Sequence, residues 1–172
     1  MPRTLIVGAL LIVAVAMLYF SYGSTDDSSA GSGKMAPEIG INSENGPMNL
    51  SQQKGKVVLL DFWATWCPPC RESIPIIDSL YRKYKSQGFT VMGVALEREN
   101  DPNFFDKARS LGASYPVGLP ISQESVANYP TQGIPYVALI DKQGRIRYTH
   151  DGYSPDEQSE FEKEINTLIS EK

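Results

Sequence analysis

The alternation of apolar and polar positions divides the chain into an N-terminal apolar segment, a polar spacer and a longer region of strand-like and helix-like patterns. Residues 5–20 contain no charged side chain. The run from 5 to 22 would span about 27 Å at 1.5 Å per residue, close to the ~30 Å hydrocarbon core of a bilayer. An arginine precedes this run and two aspartates follow it. By the positive-inside rule, we predict a single-pass signal-anchor at 1–22, with its N-terminus in the cytosol.

A cleaved signal peptide is the alternative interpretation of this segment. The apolar region of such a peptide usually runs 7–15 residues and ends at an A-x-A-like site. Here the run is longer and continues into YFSYG at 19–23, which is a poor cleavage site. Both interpretations place the rest of the chain outside the cytoplasm. Residues 23–34 are rich in serine and glycine, so we expect a flexible linker there and a folded domain at 35–172.

The pattern beyond residue 35 predicts an α/β domain. Near-continuous apolar runs at 57–63 and 89–96 are typical of strands buried on both faces of a sheet. The predicted elements, in order, are a hairpin around 42–47, a strand at 57–63, a helix at 68–86, a strand at 89–96, a helix from Asp101 to about Leu111, a short helix at 122–128, strands at 136–140 and 145–149, and a last helix starting at Ser154. This order indicates a mixed sheet flanked by helices, with an N-terminal β-hairpin and a helical insert at about 101–128.

Charge and composition exclude several classes of function. The chain has 16 Lys and Arg against 20 Asp and Glu, a formal net charge of −4, which disfavours nucleic-acid binding. Two cysteines are too few for a disulfide-rich scaffold. The single histidine, His150, excludes a multi-histidine metal site and is expected on the surface. We therefore expect no metal and no other cofactor.

The two cysteines, Cys67 and Cys70, follow directly after a predicted strand. A zinc site needs four ligands, and the chain offers no further cysteine. A structural disulfide across so short a loop would contribute only ~1.9 kcal/mol by chain entropy. The preferred interpretation is a redox pair. Cys67 would lie at a helix N-terminus, whose partial positive charge favours a thiolate, and Cys70 could then resolve the mixed disulfide.

Two prolines separate the cysteines. Because Pro68 and Pro69 have no N–H, only the amide of Cys70, among the three that follow Cys67, can donate to the Cys67 sulfur. We hypothesise that this amide and the helix dipole stabilise the thiolate, while the prolines fix the turn.

The segment 61–70, DFWATWCPPC, resembles the active-site segment of the thioredoxin superfamily. Pro75 resembles the family's kink proline, the tripeptide 133–135 resembles its cis-proline loop, and Gly152 resembles a glycine of the family pattern. The anchor, hairpin and insert are similar to those of the TlpA/ResA branch. Members of that branch are extracytoplasmic thiol–disulfide oxidoreductases, and many are reductants in cytochrome c maturation.

The resemblance implies roles for residues near the cysteines. A cis peptide bond before Pro135 would present the backbone of Ile134 to an extended substrate beside Cys67. Asp61 lies within an apolar strand and matches the buried aspartate that accepts a proton from the second cysteine. The alternative for Asp61 is a solvated carboxylate at the edge of the sheet.

Three further positions carry expectations of their own. Glu97 matches the active-site glutamate of the ResA-like branch, although its polar surroundings are equally typical of a solvated loop. Gly93 stands where thioredoxin has a lysine, so the family's Asp–Lys proton relay cannot be transferred whole. Trp66 is expected to be a surface ring that shields the sulfur and contacts substrate, with simple packing as the alternative. Trp63 is expected in the core.

These features together predict a membrane-tethered thiol–disulfide oxidoreductase in which Cys67 attacks and Cys70 resolves. The resemblance implies protein disulfides as substrates, with apocytochrome c as a candidate, and a transmembrane thiol donor of the DsbD/CcdA kind for re-reduction. Three alternatives remain at this stage. They are a disulfide-forming oxidant, a redox-inactive peptide-binding or scaffold module, and a thiol peroxidase, for which a separate peroxidatic cysteine is lacking.

Overall fold

The computed structural model of the protein describes residues 33–98 and 101–171. The predicted signal-anchor at 1–22 and most of the predicted linker at 23–34 lie outside these ranges. In the part of the chain that is described, no helix is long and apolar enough to cross a bilayer.

Seven strands form one mixed sheet, which confirms the predicted α/β class. The strands follow the spatial order β2-β1-β5-β4-β3-β6-β7, with β3, β4 and β5 parallel to one another. The elements are β1 (Gly40–Ser43), β2 (Gly46–Asn49), β3 (Val57–Trp63), α1 (Pro68–Tyr84), β4 (Phe89–Ala95), α2 (Phe104–Ser110), β5 (Val117–Pro120), α3 (Gln123–Ala127), β6 (Tyr136–Ile140), β7 (Ile146–Asp151) and α4 (Glu157–Ser170), with short 3-10 turns at Leu50–Gln53 and Lys85–Gln87.

Strands β3 and β4 form the centre of the sheet, and all their residues are buried. Alternate side chains of a strand point to opposite faces. Leu59 and Trp63 join a cluster with the apolar faces of α1 and α4, whereas Leu60 and Phe62 join a cluster on the other face. Trp63 is thus a core residue, as predicted. By the same alternation, Asp61 lies on the face of the first cluster, which also contains both cysteines.

Two helices begin later than the sequence predicted. Asp101 and Pro102 form a turn, in which the Asp101 carboxylate accepts a hydrogen bond from the Asn103 amide, so α2 begins at Phe104. Such local side-chain bonds compete with helical ones. The segment from Ser154 is likewise a turn closed by the Glu157 amide on the Ser154 carbonyl, and α4 begins at Glu157.

The expectation that His150 is a surface residue was wrong. Its side chain is only 13% exposed, packs edge-on against Phe161, and hydrogen-bonds Glu164 at 2.8 Å. His150 lies in β7, which extends to Asp151 and thus beyond its predicted end, and its ring contacts Phe161 and Glu164 of α4.

Candidate active site

The two cysteines form a disulfide at the start of α1, with Cα atoms 5.3 Å apart. Cys67 is the N-cap, and its sulfur accepts a hydrogen bond from the Cys70 amide at 3.3 Å. Pro68 and Pro69 occupy the first turn, where a proline costs the helix no hydrogen bond. This is the single-amide arrangement that the sequence predicted. Cys70 is completely enclosed, and Cys67 is 3% exposed.

The loop before β6 lies against the attacking cysteine. The Ile134–Pro135 peptide bond is cis, as predicted, and the Ile134 carbonyl oxygen lies 3.8 Å from the Cys67 sulfur. The Gly152 amide donates to the Pro135 carbonyl at 2.9 Å, which connects this loop to the end of β7. A cleft of about 430 Å³ borders Ile134, Pro135 and Gly152. The Ile134 backbone is therefore the peptide group that lies beside the sulfur.

Asp61 is completely buried, so the alternative of a solvated edge residue was wrong. The Tyr115 hydroxyl donates to Oδ2 at 3.0 Å, whereas Oδ1 has no hydrogen-bond partner among the described residues. Burial raises the pKa of Asp61 to about 7, the Tyr115 hydrogen bond lowers this pKa, and the charge of Glu157 raises it. A carboxyl group with such a pKa exchanges protons readily near neutrality.

Gly93 makes room for the Tyr115 ring. It is paired with Asp61 in the β3–β4 register. A Cβ at this position would lie 3.1 Å from Cε2 of Tyr115, 3.1 Å from Nε1 of Trp63 and 2.7 Å from Cγ1 of Val117. The hydroxyl of Tyr115, just before β5, therefore contacts Asp61. Thioredoxin has a lysine at the position of Gly93, and here the tyrosine ring occupies the space beside this glycine. No pattern in the sequence marked Tyr115, because it lies in an irregular stretch.

Glu97 anchors the loop that precedes the first cysteine. Its Oε1 accepts the Thr65 amide at 2.7 Å, and its Oε2 accepts the Thr65 hydroxyl at 3.0 Å. The carboxylate thus spans from the end of β4 to the end of β3. The sequence marked Glu97 as a candidate catalytic group, and the structure places it where it positions the backbone two residues before Cys67.

Trp66 is 42% exposed, as expected for a surface ring. The guanidinium of Arg98 lies over it, 4.3 Å from the ring centroid, in a cation–π arrangement. Its contact with substrate remains a prediction.

Both the sheet and the position of the disulfide define a thioredoxin-like protein that exchanges thiols and disulfides. The Redoxin family model matches residues 31–165. ResA of Bacillus subtilis, a thiol-disulfide oxidoreductase, is 31% identical over 142 residues, which cover 81% of this chain and 79% of the relative. ResA of Bacillus cereus is 32% identical over 155 residues and 88% of each chain.

A solved structure from Chlorobium tepidum, described as a thiol:disulfide interchange protein DsbE, superposes with a TM-score of 0.75. It is 31% identical and covers 83% of this chain and 100% of its own. The chain belongs to the Redoxin family, within the thioredoxin superfamily, and is similar to the ResA/TlpA-like members. Its activity is that of a thiol–disulfide oxidoreductase, as the sequence predicted.

Proposed function

We propose that the protein is a membrane-tethered, extracytoplasmic reductant of protein disulfides, with a role similar to that of reductants in cytochrome c maturation. The observation that carries this proposal is the environment of the Cys67 sulfur. Among the described residues, the Cys70 amide is the one peptide N–H that bonds this sulfur, because prolines occupy the two positions between the cysteines.

This environment bears on the direction of electron flow. Each group that stabilises the thiolate stabilises the reduced pair, which raises the reduction potential and makes the protein a stronger oxidant. One amide and the helix dipole suffice to activate Cys67 as a nucleophile. They give the reduced form less stabilisation than several amides would. We therefore expect a potential nearer to the thioredoxin value of about −270 mV than to the DsbA value of about −120 mV.

The proposed reaction moves two electrons to the substrate. The Cys67 thiolate attacks one sulfur of the substrate disulfide, that S–S bond breaks, and one substrate sulfur leaves as a thiolate. Asp61 then accepts the proton of the Cys70 thiol. The Cys70 thiolate attacks the Cys67 sulfur, which breaks the mixed disulfide and releases the second substrate thiolate. The Cys67–Cys70 disulfide remains, and the substrate is a dithiol.

The loop at Ile134 supports a peptide substrate. An extended chain beside Cys67 would meet the Ile134 backbone in a strand-like manner, while the exposed Trp66 ring would contact it from the other side. Each turnover oxidises two thiols, so a thiol donor must restore them. A transmembrane donor of the DsbD/CcdA kind fits a domain held at the outer face of the membrane by the predicted anchor at 1–22.

The direction of electron flow is tested by trapping the thiols of the full chain with an alkylating reagent in intact cells. We expect the Cys67–Cys70 pair to be mostly reduced. A pair that is mostly oxidised, with a potential near the DsbA value, would instead identify a disulfide-forming oxidant.

The assignment of the two cysteines is tested with matched serine variants. The Cys70→Ser variant should accumulate mixed disulfides with partner proteins, because nothing resolves them. The Cys67→Ser variant should form none. Retention of full biological activity by Cys67→Ser would favour the redox-inactive binding module.

A further inference from the structure

His150 and Glu164 form a pair that leaves one imidazole nitrogen facing a cavity. Nε2 of His150 lies 2.8 Å from Oε2 of Glu164, which is almost completely buried. Nδ1 lies 3.8 Å from Oε2 of Glu160, on the exposed side. A carboxylate bonded to one imidazole nitrogen fixes the tautomer and orients the other nitrogen, which is the usual second-shell arrangement around a metal-binding histidine.

Glu157 provides a second, independent observation. It is 3% exposed, and its Oε2 has no hydrogen-bond partner among the described residues. Burial raises the pKa of this carboxyl group to about 7, while the nearby His150 lowers it. An unpaired carboxylate oxygen in a buried position is costly unless a ligand or a proton satisfies it.

The three groups share one cavity and one helix face. His150, Glu157 and Glu160 line a cavity of about 290 Å³ at the end of β7. On α4, residues three apart lie on the same side of the helix, so both glutamates face the strand that carries the histidine. The ligand atoms of His150, Glu160 and Glu164 lie within 4.8 Å of one another. We propose that this cavity is a divalent metal site, with Nδ1 of His150 and the carboxylate of Glu160 as ligands, the carboxylate of Glu157 as a third ligand once it turns into the cavity, and Glu164 as the group that orients the imidazole.

The ligand set suits a first-row divalent ion such as Zn²⁺. Nitrogen and carboxylate ligands bind zinc at about 2.0–2.2 Å, so two tetrahedral ligands are about 3.4 Å apart. The 3.8 Å between Nδ1 and the Glu160 oxygen needs only a small rotation of the glutamate, whose side chain is 47% exposed. The cavity leaves a position for water. The site would fasten the first turn of α4 to β7.

The test is a titration of the oxidised full chain, without a histidine tag, with ZnCl₂. Oxidation keeps the cysteine thiols from binding zinc. The chain contains one histidine, so its imidazole NMR signals are unambiguous. We expect one Zn²⁺ per chain, measured by calorimetry, with displacement of those signals, and at least tenfold weaker binding of Ca²⁺, which disfavours nitrogen ligands.

Two variants and a control decide whether these residues are the ligands. Glu160→Gln alters an exposed side chain, and Glu157→Gln removes the buried charge. Each should weaken zinc binding at least tenfold. Asp156→Asn removes the same charge from the neighbour of Glu157, which lines a different cavity, and should leave binding unchanged. The proposal is overturned if Zn²⁺ and Ca²⁺ bind equally, if the imidazole signals do not move, or if the glutamine variants bind like the parent. Because the charge of Glu157 raises the pKa of Asp61, the redox reaction is measured on the parent and on Glu160→Gln, so that failure of the metal proposal leaves the proposed function untouched.

Discussion

The hydrogen bond from Tyr115 to Asp61 is the contact whose removal should change the chemistry most directly. The Tyr115→Phe variant deletes the hydroxyl that donates to Oδ2 at 3.0 Å and keeps the ring that packs against Gly93. Because this bond lowers the pKa of Asp61, its loss should leave the carboxylate with less stabilisation and raise that pKa further.

The size of the effect follows from the charge of the acceptor. A hydrogen bond to a charged group contributes about 1.5–3 kcal/mol. One pKa unit corresponds to 1.36 kcal/mol, so the expected shift is about 1–2 units. The pKa of Asp61 is about 7 in the parent and would rise to roughly 8–9 in the variant. If Asp61 accepts the Cys70 proton, the acidic limb of the rate profile should move upward by the same amount.

The assay is a carboxyl ¹³C NMR titration of the oxidised protein, in which the Asp61 signal is identified by its absence from the Asp61→Asn variant. The pH dependence of substrate-disulfide reduction is then measured for the same proteins. The matched control is Tyr129→Phe, which removes a buried tyrosine hydrogen bond of 2.6 Å, to the Pro37 carbonyl, in the other core cluster.

A titration midpoint that stays at the parent value in Tyr115→Phe would refute the electrostatic reasoning. An equal shift in Tyr129→Phe would show that the change is not specific to the contact. A shifted Asp61 midpoint with an unmoved rate profile would exclude Asp61 as the proton acceptor.

Three further predictions concern stability, measured by urea unfolding. Glu97→Ala removes both acceptors of Thr65 and should lower the free energy of unfolding by about 1–2 kcal/mol. Gly93→Ala should cost about 1–3 kcal/mol by overpacking, because its Cβ would clash with Val117 and crowd Trp63 and Tyr115. Asp61→Asn should stabilise the protein increasingly as the pH rises from about 4 to 7, by roughly 4 kcal/mol at the plateau, since burial raises the folded-state pKa from 3.8 to about 7.

The sign of the last prediction follows from proton binding. Between those pH values the folded state holds the Asp61 proton and the unfolded state has released it, so the stability of the parent falls with rising pH. A constant difference between parent and variant across this range would contradict a raised pKa. Gly133→Ala is the control for Gly93→Ala, since its Cβ would meet open space. Equal losses from both alanines, or an unchanged stability of Glu97→Ala, would contradict the packing and hydrogen-bond arguments.

The sequence predicted the features that depend on local pattern. The central strands appeared as continuous apolar runs, and the helix after the cysteines appeared as a 3.6-residue period that begins at two prolines. These predictions were correct because each depends on residues within one short stretch of chain. The starts of α2 and α4 were less accurate, since side-chain bonds in the preceding turns decide them.

The partners of the site residues could not be predicted in the same way. Tyr115 lies 54 positions from Asp61, and Glu97 lies 32 positions from Thr65. Such contacts depend on which strands are neighbours and on the register in which they pair. The local hydrophobic pattern predicts neither. The sequence showed that Gly93 replaces the lysine of thioredoxin. It did not show that the Tyr115 ring packs against this glycine.

The exposed Trp66 ring and its stacked Arg98 are separate from the enclosed carboxyl group and its tyrosine. Substitution of these two exposed side chains would change the surface next to the disulfide. It would leave Asp61 and Tyr115 in the protein interior unchanged. Under the proposed substrate contact at Trp66, exchange of these two side chains would change the choice of client and leave the proton-transfer residues intact.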